Sequence, residues 1–253
     1  MFPLLALSAA ALAGPPLTSA FPADAITTVF VRAPNGSLGI EAVTDATTVD
    51  VSVARGEWSE GCTVESKVVG DRVEVTIAKM EGRVAQVCSA DVRIRLPPRM
   101  AIDLEAVTGE VSVGGITGGG RVSVGVGDLR LADVSGPLEI SGNGGDLVGS
   151  YTGEALRARW TSGEVRLTGL VGTADVEVGV GRLDLTWTAA PAAGEIRLDV
   201  GGGGLTARFP EGTALAQDLD ATLGKVRSDV PSAEAGVRLR ARTKAGSLRI
   251  LEN

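Results

Sequence analysis

The sequence predicts an all-β protein: a parallel β-solenoid of the single-stranded β-helix kind, with coils of about 18 residues and an irregular N-terminal β cap. Three observations predict it. Glycine recurs at Gly109, Gly127, Gly145, Gly163 and Gly181, each 18 residues after the last. Each of these is followed by a short run, apolar–x–apolar in four of the five: Val111-Ser112-Val113, Leu129-Arg130-Leu131, Leu147-Val148-Gly149, Val165-Arg166-Leu167 and Leu183-Asp184-Leu185. Gly makes up 35 of the 253 residues while aromatics make up only 3%, which suits many tight corners around a core of Val, Leu and Ile.

Residues 1–20 read as a secretion signal. Leu4 to Ala13 is apolar, Gly14-Pro15-Pro16 breaks a helix, and Leu17-Thr18-Ser19-Ala20 offers small residues for cleavage before Phe21. Cleavage after Ala13 is the second choice. No Lys or Arg precedes the apolar run, a departure from the usual signal pattern, and a short buried helix is the competing reading. No later segment approaches the ~18 apolar residues of a membrane helix. Residues 21–105 form the N-terminal β segment. Ile26–Val31, Thr48–Val53, Arg72–Ile77 and Asp91–Leu96 each alternate apolar and polar side chains, the period of a half-buried strand. Asn35-Gly36, Gly70-Asp71 and Pro97-Pro98 supply turns.

Residues 106–253 are the repeat. With the lead glycine as position zero, positions two and four are apolar in every unit except at Gly149, and position three is mostly polar. That is inward–outward–inward alternation. Corner glycine is expected because the backbone there takes positive φ. Beyond Ala190 the period loosens, yet Gly194-Glu195-Ile196, Gly204-Leu205-Thr206, Gly224-Lys225-Val226 and Gly246-Ser247-Leu248 keep the motif. Pro191–Ala193 and Phe209–Asp220 read as loops or an added pair of strands. A solenoid needs capped ends, expected in residues 21–105 and in the Arg-rich stretch Arg238–Arg242.

Net charge is −7, with no histidine and four lysines, so no basic patch exists for nucleic acid or anionic lipid. Without histidine, and without Gly-x-Ser-x-Gly, no nucleophile–base pair stands out, and no catalytic residue is assigned. Cys62 and Cys88 are the only cysteines, and in an exported chain a disulfide between them is expected. Asp128 and Asp146 hold equivalent corners, with Glu110 and Glu164 continuing the line. This acidic ladder reads first as a solvated corner, with calcium binding and an acid/base pair as alternatives. The calcium nonapeptide pattern is approximated once, at Gly142–Asp146, so no metal site is assigned. Tyr151 and Trp187 share position six, two coils apart, and could offer ~10 Å-spaced rings to a glycan, although packing at a corner is the first reading. The glycine clusters Gly118–Gly120 and Gly201–Gly204 lack the following Lys-Ser/Thr of a phosphate loop. No cofactor is expected.

The units Gly-Asp/Glu-Val-x-Val, entered through Val92-Arg93-Ile94-Arg95-Leu96-Pro97 and followed by Leu205-Thr206-Ala207-Arg208-Phe209-Pro210, resemble the bacterial putative-adhesin domains of the exported envelope class. The similarity spans residues ~25–250. It implies a β-solenoid at the cell envelope, in the periplasm or on the surface, without enzymatic activity and without catalytic residues to carry over. The disulfide is not implied by it.

The expected function is therefore a structural or adhesive module that meets a protein or glycan partner over flat solenoid faces. A polysaccharide-active β-helix enzyme, or a regulatory envelope domain acting on a membrane partner, are the alternatives. Oligomeric state is left open by the sequence.

Overall fold

The computed structural model describes residues 14–79, 87–234 and 236–253. Among them the chain is all β, with eighteen strands in one sheet and no helix. The N-terminal strands are β1 (Leu17–Pro22), β2 (Thr28–Asn35), β3 (Leu38–Ala42), β4 (Thr48–Trp58), β5 (Cys62–Val69), β6 (Arg72–Lys79) and β7 (Cys88–Leu96). Paired short strands follow: β8 (Ala101–Thr108) with β9 (Val111–Gly114), β10 (Gly120–Val126) with β11 (Leu129–Val134), and β12 (Leu138–Gly144) with β13 (Leu147–Tyr151). The last five are long and bent: β14 (Ala155–Leu170), β15 (Thr173–Trp187), β16 (Glu195–Phe209), β17 (Ala216–Ser228) and β18 (Arg238–Glu252).

Two parallel ladders run the length of the molecule. One follows β6, β2, β8, β10 and β12 into the first halves of β14, β15, β16, β18 and β17. The other follows β7, β3, β9, β11 and β13 into the second halves of the same strands. Parallel neighbours need a long return connection. Each unit supplies its own, because its second strand carries the chain back while serving the other ladder. In the middle of the molecule the step between neighbours is 18 residues, as where the Asp146 amide meets Asp128. Inward side chains of the two ladders meet in one core that includes Val111, Val113, Leu129, Leu131, Val165, Leu167, Leu183 and Leu185.

The corner between ladders is a column of glycines. Gly36, Gly109, Gly127, Gly145, Gly163, Gly181, Gly203 and Gly246 all have positive φ. From Gly109 onward, a Cβ at each would overlap the carbonyl oxygen of the previous glycine in the column. The column ends on Gly224, which packs against Gly246 in the same way. Only glycine permits both the conformation and the close approach of successive backbones.

A wholly parallel arrangement is not what forms. β1 pairs antiparallel with β4, β4 with β7, and β5 with β6. These strands lie where the 18-residue period is absent; β5 and β6 form a hairpin, while β4 pairs with β1 and β7 across the intervening strands. Chain order and spatial order also part at the C-terminus. β18 lies between β16 and β17, so the Arg238–Arg242 stretch is flanked on both sides and the end strand is β17. Residues 1–13 of the signal reading lie outside the described residues. The Ala20 cleavage site falls within β1, whereas a cut after Ala13 leaves that strand whole.

Candidate interaction surface

The acidic corner predicted from sequence forms, and its carboxylates are engaged by backbone. The Asp146 amide donates to Asp128 Oδ1 at 3.0 Å, and the Glu164 amide donates to Asp146 Oδ1 at 2.9 Å. Each of these carboxylates thus accepts the amide that follows the next corner glycine, a role no apolar residue can fill. Arg130 pairs with Glu110 and reaches Asp128 at 3.6 Å, and Arg166 pairs with Glu164. Among the described residues no group of three or more potential ligands is placed to hold a metal ion.

Tyr151 and Trp187 turn inward. Their exposures are 1% and 0%, so neither ring presents a face to a glycan. The Trp187 indole stacks on Phe209 with ring centres 4.6 Å apart. Their polar atoms are satisfied by a repeated arrangement. The Tyr151 hydroxyl lies 2.7 Å from the Gly136 carbonyl and 2.5 Å from that of Ala155, while Trp187 Nε1 donates to the Gly172 carbonyl at 2.9 Å. Trp160 Nε1 donates to the Gly145 carbonyl at 2.8 Å. In all three, the polar atom reaches a glycine 15 residues earlier. Burial pushes the Tyr151 phenol up to about 12, against the opposing hydrogen bond to Ala155. Trp160 lies over Gly142, where a Cβ would strike its ring.

The outward face of the first ladder carries a column that periodicity in apolar residues does not reveal. Asp103, Arg121, Glu139, Arg157 and Asp175 lie side by side on successive strands, alternating in sign. Arg197 follows Asp175, then Arg240 and Asp218. A second column runs Arg159, Glu177, Asp199, Arg242 and Asp220. Ion pairs close within and between the columns: Arg121 to Glu139 at 3.0 Å, Arg159 to Asp175 at 2.9 Å and to Glu177 at 3.2 Å, and Arg240 to Asp218 at 3.1 Å. The Asp175 hydrogen bond holds the Arg159 guanidinium above its ordinary range. Burial raises the Asp199 carboxyl, against the opposing charge of Arg242. The signal available in the sequence was the change of sign every 18 residues from Asp103 onward. At the N-terminal end of this face, Phe30 is flanked by the guanidinium groups of Arg32 and Arg72, 5.5 and 5.1 Å from its ring centre.

Cys62 and Cys88 form the expected disulfide, with Cα atoms 5.7 Å apart, tying β5 to β7. No described helix is long and apolar enough to cross a membrane.

No family model matches the sequence, and no curated protein matches it. Solved structures do. A putative adhesin from Parabacteroides merdae is similar over 93% of this chain and 96% of its own, at 12% identity and a TM-score of 0.55. A putative adhesin from Parabacteroides distasonis covers 93% of this chain and 97% of its own, at 15% identity and a TM-score of 0.43. One from Bacteroides fragilis covers 94% and 97%, at 13% identity and 0.35. At these identities the likeness speaks to the fold, and the first comparison carries it. The neighbours bear the adhesin name that the Gly-Asp/Glu-Val-x-Val units pointed to.

Proposed function

We propose that the chain is a β-solenoid with an antiparallel N-terminal cap, exported to the cell envelope as a non-enzymatic adhesive or interaction module. Its partner is a protein or glycan met over the flat outward face of the first ladder. The observation that carries this reading is the pair of charged columns, set flush on successive strands and exposed along the molecule. A surface of interspersed charges of both signs over a large area suits docking by complementarity, whereas a small substrate needs a concave site that closes around it. Carboxylates at Asp128 and Asp146 accept backbone amides, which supports a role in holding the corner over one as an acid/base pair. The adhesin names of the structural neighbours support the same direction.

Export is supported by the disulfide, which persists in oxidising compartments. Cleavage after Ala13 fits this reading best, since it preserves β1. Two assays test the proposal. Purified protein is incubated with envelope and extracellular polysaccharides while reducing ends and unsaturated products are followed. No turnover is expected, and turnover abolished by Asp128→Asn with Asp146→Asn promotes the enzyme reading instead. Binding to isolated envelope fractions is then measured for the wild type and for Arg157→Glu with Arg159→Glu. Binding that falls in the variant supports the charged face, and unchanged binding places the contact elsewhere.

A further inference from the structure

The C-terminal end of the sheet is an open edge from Ala216 onward, just past Leu215, whose outer side bonds to Pro231 and Ala233. β17 pairs with β18 on one side and with no other named strand among the described residues. Its core-side residues Leu219 and Val226 stand beside the buried Ala241 and Leu248, yet Val226 is 44% exposed and the corner residue Leu223 is 73% exposed. An edge of thirteen residues with apolar groups partly in water invites another strand.

The charges on β17 say which strand. Its first half carries Asp218 and Asp220 on the outward side, beside Arg240 and Arg242, and its second half carries Lys225 and Arg227. Arg227 stands beside Arg249, a like-charge neighbour in the ladder, and is held by Asp229 at 3.0 Å, so it meets a second copy's Asp218 as a cation already bracing its own corner. Both outward columns of the first ladder therefore end on a carboxylate, while the second ladder ends on stacked arginines. Parallel pairing with a second copy sets like over like. Antiparallel pairing sets each acidic half against a basic half. In the register that places Asp218 opposite Arg227 of a second copy, Asp220 falls opposite Lys225 and Leu219 opposite Val226. Every core-side residue then meets a core-side residue, and the carboxylate that ends each column meets a cation of the second copy. The other free edges offer no such match. β1 has no charged residue, and β5 carries one Glu and one Lys on its sequence.

We propose that β17 is a self-association edge, at which two copies of this chain join tail to tail by antiparallel pairing of their β17 strands. Contact through one strand on a two-fold axis closes on itself, so the product is a dimer and not a fibre. A ladder of this length forms about a dozen backbone hydrogen bonds and covers Leu223 and Val226.

Sedimentation velocity of the secreted chain tests the proposal, and a dimer that weakens as salt rises from roughly 50 to 500 mM is expected. Asp218→Lys with Asp220→Lys, and separately Lys225→Glu with Arg227→Glu, each place like charges across the axis, and each variant is expected to be monomeric. Mixed in equal amounts, the two variants form a one-to-one heterodimer, because one edge is then wholly basic and the other wholly acidic. A monomeric wild type, variants that stay dimeric, or a mixture of folded variants that does not associate overturns the proposal. Should a variant fail to fold, carbodiimide crosslinking of the wild type decides. The dimer band must contain a Lys225–Asp220 linkage between copies, and a dimer band without it contradicts the register.

Discussion

The units from Gly109 to Trp187 and the strands before Leu96 reach one end, a continuous sheet over a single core, by opposite means. In the first region every neighbour is parallel, the step is 18 residues except past single bulges at Val134 and Leu170, and glycine at each corner lets one backbone lie on the next. In the second, three pairings are antiparallel, no period holds, and a disulfide ties the outlying β5 to β7. The difference teaches what repetition provides. A repeat fixes each strand's partner through the strand before it. Where the chain stops repeating, register must come from one hairpin, from antiparallel pairing of strands distant in sequence, and from a covalent tie that limits the unfolded chain.

Glycine substitution separates the two regions most sharply. Gly145→Ala places a Cβ against the Gly127 carbonyl at a φ of 102°. It is expected to cost about 3–4 kcal/mol by chemical denaturation, since backbone cannot yield as a side chain can. Gly70→Ala in the β5–β6 turn has a φ of 64° and meets nothing within 4 Å. Strain alone remains there, about 1 kcal/mol. Equal costs at the two sites would break the contrast.

Removing the disulfide with Cys62→Ser and Cys88→Ser opens a loop of 26 residues and is expected to cost about 3 kcal/mol. Hydrogen exchange should quicken in β5 and the adjoining part of β7 while β10 to β15 keep their protection. Uniform loss of protection would show that the two regions unfold as one and are less distinct than their construction suggests.

Tyr151 is the chain's only tyrosine, so tyrosinate absorbance reports this site alone. Its phenol is raised from 10.0 to about 12 in the folded protein. The fold favours the neutral phenol, and its contribution is present below pH 10 and is lost as pH rises through about 12. Spectrophotometric titration should show the transition near 12 in buffer and near 10 in denaturant. A native transition near 10 would mean the ring is open to water and the regular region is looser than described.

Arg121→Glu sets three carboxylates in a row with Asp103 and Glu139. These side chains are exposed, so the loss should stay within about 1 kcal/mol and shrink with added salt. A cost of several kcal/mol would make the charged column a mainstay of the fold, not a surface for a partner.

The corner glycines from Gly109 to Gly181 and the buried pairs such as Leu129 and Leu131 were legible because a constant period aligns like with like. Gly36 belongs to the same column but stands next to Gly109 across a long excursion, beyond the reach of an 18-residue register. The order of β17 and β18 was illegible for a related reason: Gly224-Lys225-Val226 and Gly246-Ser247-Leu248 fit the motif equally well, and nothing local says which lies outermost. Asp128 and Asp146 were found as a line, but their acceptance of backbone amides depends on side-chain reach, which spacing does not encode. Tyr151 and Trp187 share position six of their units. Its parity is that of the inward positions two and four, which accounts for their burial. β1 was read as part of a signal because Leu17 to Ala20 satisfies the small-residue pattern of a cleavage site as well as it forms a strand.

The central claim is that residues one period apart lie side by side, and spin labels test it most directly. Ser123 and Ser141 are lateral neighbours on the outward side of β10 and β12. With the native cysteines paired, nitroxides attach only to Ser123→Cys and Ser141→Cys. At a strand spacing of about 5 Å, the doubly labelled protein should give a continuous-wave spectrum strongly broadened relative to the sum of the two singly labelled spectra. A doubly labelled spectrum equal to that sum would place the two positions far apart and contradict the parallel 18-residue register.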